Sequence, residues 1–80
     1  MEADKMFEEL GYRKAQDDEK RVYYTTQKGI GQGYRGIEFK IKHKKVLPYN
    51  RVQIDMRTLK AINKKCLELG WLGEWIYEQI

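Results

Sequence analysis

Serine is missing from this chain altogether, and cysteine, histidine and proline each occur once. Without serine there is no serine nucleophile, and one histidine with one cysteine supplies too few ligands for a histidine–cysteine metal site. Neither a metal nor a small-molecule cofactor is therefore expected, and the chain reads as a non-enzyme. Cys66 has no second cysteine with which to close an internal disulfide, which fits a reducing cytoplasm. No apolar run approaches the roughly 18 residues of a membrane span, and no basic-then-apolar leader opens the chain. The expectation is a cytoplasmic protein with no membrane partner.

What is present suits one small folded domain over residues 1–80. Aromatic residues make up 12% of the chain, more than a disordered segment carries, although 35% of residues are charged. A chain of this length buries only about 60% of its unfolded surface, so a catalytic cleft would compete with the core for apolar side chains. The net charge of +4 is unevenly spread. Residues 1–20 hold seven acids and four bases, residues 21–65 hold two acids and twelve bases, and residues 66–80 hold three acids and no base. The basic middle suits a phosphate-rich partner, unless folding sets the acidic ends beside it.

Met6, Phe7 and Leu10 fall on one side of a short helix over residues 3–10, which Gly11 ends with Tyr12 folding back. The same device recurs: "ELGY" at Glu9–Tyr12 becomes "ELGW" at Glu68–Trp71. After a polar stretch, "RVYYTT" (Arg21–Thr26) reads as a strand. "GIEFKIK" (Gly36–Lys42) alternates, with Ile37, Phe39 and Ile41 facing a core and Glu38, Lys40 and Lys42 facing water. "KHKK" (Lys42–Lys45) suggests a turn before a short strand around Val46–Tyr49, confined to an edge by Pro48. "RVQI" (Arg51–Ile54) suggests a further extended piece. Asp55 is a suitable N-cap for a second helix whose Leu59, Ile62, Cys66 and Leu69 step by 3, 4 and 3. The tail over residues 71–80 is apolar and spaced for a last helical segment. The expected fold is α+β, in the order α-β-β-β-α, a three-stranded antiparallel sheet with the helices on one face.

Gly31-Gln-Gly33-Tyr-Arg-Gly36 matches the G-x-G-x-x-G of nucleotide-binding loops. Those loops need a helix leaving the glycines, its N-terminus aimed at the pyrophosphate. Here a strand leaves, so Gly29–Gly36 reads as a hairpin loop whose Lys28 and Arg35 are left to touch a phosphate or an acidic partner. Asp17, Asp18 and Glu19 read as a solvated loop, His43 as an exposed turn residue among lysines, and Cys66 as a buried thiol.

The basic set is the strongest functional candidate. Lys40 and Lys42 share the outer face of a strand, Lys44 and Lys45 extend it, and Arg35 and Arg51 flank it. On the second helix Arg57, Lys60, Lys64 and Lys65 are expected away from the apolar stripe. With Tyr23, Tyr34 and Tyr49 interleaved, Arg35, Lys40, Lys42, Lys44, Lys45, Lys60 and Lys64 are the candidate contacts to nucleic acid. The double-stranded RNA-binding domain shares the order α-β-β-β-α, but it carries its lysines at the start of the second helix. This helix opens "DMRTLKAI", with "NKK" in its middle, and His43 falls one turn too late for that domain's loop histidine. The tail supplies a competing surface: Trp71, Trp75 and Tyr77 are candidate anchors for a partner protein or for a homodimer, if they do not complete the core.

"DKMFEELGY" (Asp4–Tyr12) and "LKAINKKCLELGWL" (Leu59–Leu72) resemble small proteins of phages, prophages and mobile elements in Gram-positive bacteria. The resemblance implies a phage-derived accessory protein in a bacterial host cell, with no established activity and no catalytic residues to transfer. Its expected mode of action is to bind a host or phage macromolecule, inhibition of a host nucleic-acid-processing or defence factor being one form. The alternative is a direct DNA- or RNA-binding protein using the basic face.

Overall fold

The computed structural model describes residues 2–26 and 34–72. Helix α1 (Ala3–Glu9) buries Ala3 and Phe7. Leu10 ends it, and Gly11 turns the chain at φ 93°. The Tyr12 N–H then donates to the Phe7 carbonyl and the Gly11 N–H to Glu8, the two bonds of a Schellman motif. Gly70 does the same for α2 (Met56–Glu68): φ is 77°, Trp71 N–H reaches Cys66 and Gly70 N–H reaches Leu67. The repeated "ELG" device is thus two equal caps. Asp55 caps the start of α2, its Oδ1 accepting from the Thr58 N–H at 2.8 Å.

Between the helices lie four strands rather than three, an antiparallel sheet in the order β1-β2-β3-β4. They are β1 (Arg13–Asp17), β2 (Arg21–Thr25), β3 (Gly36–Lys40) and β4 (Lys45–Tyr49). The unforeseen strand is β1, "RKAQD", which has no β-branched or aromatic residue and is exposed almost throughout. It forms because it extends the free edge of β2, with a register shift between Lys14 and Gln16 that bulges Ala15. Charge and a bulge are what a sheet edge uses to refuse further strands. Pro48 sits on β4, the opposite edge, as expected. The third strand stops at Lys40, so Ile41 and Lys42 lie in the turn Ile41–Lys44 and not on the strand. "RVQI" makes no strand: Asn50 and Arg51 take φ near 59° and 58°, and Val52–Asp55 runs unpaired into α2.

Both helices cover one face of the sheet. Phe7 of α1 and Ala61, Ile62 and Cys66 of α2 meet Val22, Tyr24, Ile37 and Phe39 of the central strands. The buried stripe of α2 is Thr58, Ala61, Ile62, Lys65 and Cys66. Leu59, expected inside, is 38% exposed, and Lys65, expected outside, is buried with its ammonium 3.9 Å from Glu68. Lys65 can be buried because its aliphatic stem is apolar while its ammonium stays near Glu68. Trp71 packs its ring against Phe39 and joins the core from the end of α2. Of the helical segment expected over 71–80, Trp71 and Leu72 lie in a turn, and the rest, with Trp75 and Tyr77, lies outside the described residues.

Two polar ties hold α1 to the rest. Glu68 of α2 accepts from the Ala3 N–H at 2.8 Å, capping a helix whose own N-cap, Glu2, makes no side-chain bond. Asp4 accepts from the Tyr24 hydroxyl at 2.5 Å and from Lys14 Nζ at 2.9 Å, while Lys14 also reaches Asp17. Burial pushes the Asp4 carboxyl up, but the bonds from Tyr24 and Lys14 outweigh it and hold the group below its ordinary value. A depressed folded value means stability present above the ordinary carboxylate range and lost as pH falls through the lowered one. Asp4→Asn is therefore expected to lower the melting temperature near neutral pH by an amount worth about 1 kcal/mol, the side chains of the pair being 34% and 39% exposed. Melting curves of the two proteins should converge as pH falls to about 3; a gap that persists there would place the effect outside the charge.

Candidate nucleic-acid interface on the open face of the sheet

The face of the sheet away from the helices is built from the strand positions that alternate with the core. Its composition follows from register, in three rows. Arg21, Lys40 and Lys45 stand side by side across β2, β3 and β4. Next come Gln16, Tyr23, Glu38 and Leu47, and beyond them Arg13, Thr25, Gly36 and Tyr49. The face thus carries one row of cations and two rows in which tyrosines flank a single carboxylate.

That carboxylate, Glu38, was expected to face water and is only 5% exposed. Its Oε1 accepts from the Tyr49 hydroxyl, and its Oε2 lies 3.4 Å from Arg21 Nη1. The hydrogen bond that the Tyr49 hydroxyl donates to Glu38 pushes the phenol above its ordinary value. Tyr23 meets Tyr49 edge to face at 6.1 Å, and burial pushes its phenol above the ordinary value. Alternation along β3 correctly assigned Glu38 to the outer face. It carried no information about the large side chains that cover it.

Tyr23 also explains Gly36, the last glycine of the G-x-G-x-x-G match. A Cβ at Gly36 would stand 2.8 Å from Tyr23 Cε1, so the close approach of the ring requires glycine there. β3 starts at Gly36 and pairs antiparallel with β2, so among the described residues a strand and not a helix follows the glycines. Gly29, Gly31, Gly33 and Lys28 lie outside the described residues.

The candidate basic residues divide between two layers. Lys40 and Lys45 are on the open face, and Lys42 and Lys44 project from the Ile41–Lys44 turn at its end, beside exposed His43. Among the described residues none of these four lysines makes an ion pair. Lys60 and Lys64 are on α2, in the helical layer. Lys64 borders a depression with Glu2, Asp4 and Glu68, and Lys60 borders another with Glu9. Glu2, Asp4, Glu9 and Glu68 thus border the helix lysines, while Glu19 and Glu38 border a depression shared with Lys40 and Lys42. Arg35 sits at the opposite end of the sheet, its guanidinium 5.7 Å from the centre of the Tyr12 ring. The four-residue span from Lys40 to Gly36 separates it from the cation row by about 13 Å. Of the seven basic candidates, four gather at one end of the open face.

The other candidates take structural places. Asp18 accepts from the N–H groups of Lys20 and Arg21 and shapes the β1–β2 turn, and Asp17 belongs to β1 and pairs with Lys14. Cys66 is buried, which pushes its thiol up and away from reactivity. No group of three or more histidine, cysteine or carboxylate side chains among the described residues is arranged to hold a metal. None of the described helices is long and apolar enough to cross a membrane. The four-stranded order α-β-β-β-β-α also departs from the double-stranded RNA-binding domain, whose helices flank three strands.

Comparison with known protein families, curated proteins and solved structures finds no match to this chain.

Proposed function

We propose that this chain is a small non-enzymatic binding protein, of the accessory kind made by phages and mobile elements, and that it engages single-stranded nucleic acid across the open face of its sheet. The observation that carries the reading is the open face itself: a surface away from both described helices, with a row of cations next to interacting tyrosines. Single strands are bound by that combination, cations tracking phosphates while bases stack on aromatic rings. Duplex recognition by a helix has less support, because the lysines of α2 lie among acids.

The test is fluorescence anisotropy of a labelled single-stranded oligonucleotide at several salt concentrations. Each cation that meets a phosphate contributes about 0.7 to the slope of log affinity against log salt. Lys40→Gln with Lys45→Gln should therefore flatten the slope by about 1.4, and Lys60→Gln with Lys64→Gln should leave it unchanged. Tyr49→Ala should weaken binding by about 1–3 kcal/mol. Absence of binding at low salt would sink the reading and turn attention to a host or phage protein as the partner.

A further inference from the structure

The cation row has a feature that folding alone does not explain. Arg21 faces Lys40, and Lys40 faces Lys45, in direct cross-strand register. Like charges placed so are destabilising, and sheets usually set a carboxylate between them. Here Glu38, the carboxylate that the described strands place on this face, is already held by Arg21 and by Tyr49.

The same end of the face is concave. A depression of about 550 Å³ lies over Lys20, Arg21, Lys40, Lys42 and His43, with Glu19 and Glu38 as its acidic members. Its backbone is fixed from two sides. Asp18 accepts from the N–H groups of Lys20 and Arg21, and the Ile41 N–H donates to the Lys20 carbonyl at 3.1 Å, joining the β1–β2 turn to the β3–β4 turn. Four cations thus converge on a space bordered by two carboxylates, one of them already engaged.

We infer that this depression is a phosphate seat, in which Lys20, Lys40 and Lys42 take one phosphate group of the bound strand. The inference rests on the nucleic-acid reading and adds a position to it: one phosphate is fixed at the turn end of the sheet, and the bases run from there toward Tyr23 and Tyr49. Arg21 takes part through its share in Glu38, whose negative charge it cancels. His43 lines the rim and serves as a reporter, being the only histidine in the chain.

The first probe is inorganic pyrophosphate, followed by the ring-proton resonances of His43. A saturable shift is expected, weakened about tenfold or more by Lys40→Gln or Lys42→Gln, as loss of one charge-assisted bond requires. Lys60→Gln should leave it unchanged. No shift, or a shift equally present in Lys40→Gln and Lys42→Gln, overturns the seat. If an oligonucleotide nevertheless binds and Tyr49→Ala weakens it, the sheet-face reading stands and only the seat falls. Oligonucleotides with a 5′-phosphate and a 5′-hydroxyl then identify the source. Tighter binding of the phosphorylated strand assigns the seat to a terminal phosphate, and equal binding with Lys42→Gln still weakening both assigns it to an internal phosphodiester.

Discussion

Phe7→Ala is expected to remove about 3–5 kcal/mol of stability, the usual range for truncating a fully buried aromatic. Phe7 has no exposed surface, stacks on Tyr24 with ring centres 4.1 Å apart, and meets the edges of Tyr12 and Phe39. It is the one large side chain that the seven-residue α1 inserts fully into the core. A domain of 80 residues has a total stability of about 4–12 kcal/mol. The substitution therefore takes a large part of it, and near the lower bound leaves much of the population unfolded. The neighbours cannot close the gap, because Tyr24 is fixed by Asp4 and Phe39 by Trp71. Chemical denaturation should show a much lower midpoint with an unchanged slope. A loss below about 1 kcal/mol would mean that α1 is not docked on the sheet.

How far the sequence discloses such contacts varies with the kind of signal. The caps at Gly11 and Gly70 were legible because a glycine followed by a large apolar residue satisfies the last carbonyls in one characteristic way. β2 and β3 were legible from β-branched and aromatic residues. β1 was not, because an edge strand stabilised by its neighbour's free hydrogen-bonding groups needs no apolar pattern of its own. The face of α2 was legible only to within about one position: the 3-4-3 spacing places Leu59 on the stripe, whereas packing against α1 and the sheet turns Ala61 and Lys65 inward. Such a rotation depends on neighbours remote in sequence.

The candidate site shows the same division. Lysines close in sequence at 40–45 do gather in space, because a hairpin keeps its turn and strand ends together. Those at 60 and 64 go to another layer, where Glu2, Asp4 and Glu9 from the far end of the chain settle beside them. No local pattern foretells that juxtaposition. Nor does one foretell the cover over Glu38, which needs Tyr49 from β4 and Arg21 from β2. What the primary structure does carry is the choice of tyrosine rather than phenylalanine at position 49. Its hydroxyl reaches a carboxylate that would otherwise lie beside apolar rings with only Arg21 to offset it.

The aromatic part of the open face leads to the second large effect, at Gly36. Valine is a better strand former than glycine, which argues for a gain of about 1 kcal/mol at most in Gly36→Val. Against it stands the Tyr23 ring, whose Cε1 and Cζ would lie 2.8 and 2.9 Å from the new Cβ. Real carbon atoms do not approach so closely, so the ring must leave. Its exits are restricted by the Tyr49 ring, which meets it edge to face. Overpacking of this kind costs about 1–3 kcal/mol, more than propensity returns. Gly36→Val is therefore expected to destabilise the fold by about 1–2 kcal/mol net of that gain, and to weaken oligonucleotide binding further by displacing Tyr23. The cause is separable by a double-mutant cycle. With Tyr23→Ala in place the obstacle is gone, and Gly36→Val should become neutral or stabilising. If valine costs as much without the tyrosine as with it, glycine is needed at position 36 for some reason other than the ring, and the open face is not organised around Tyr23.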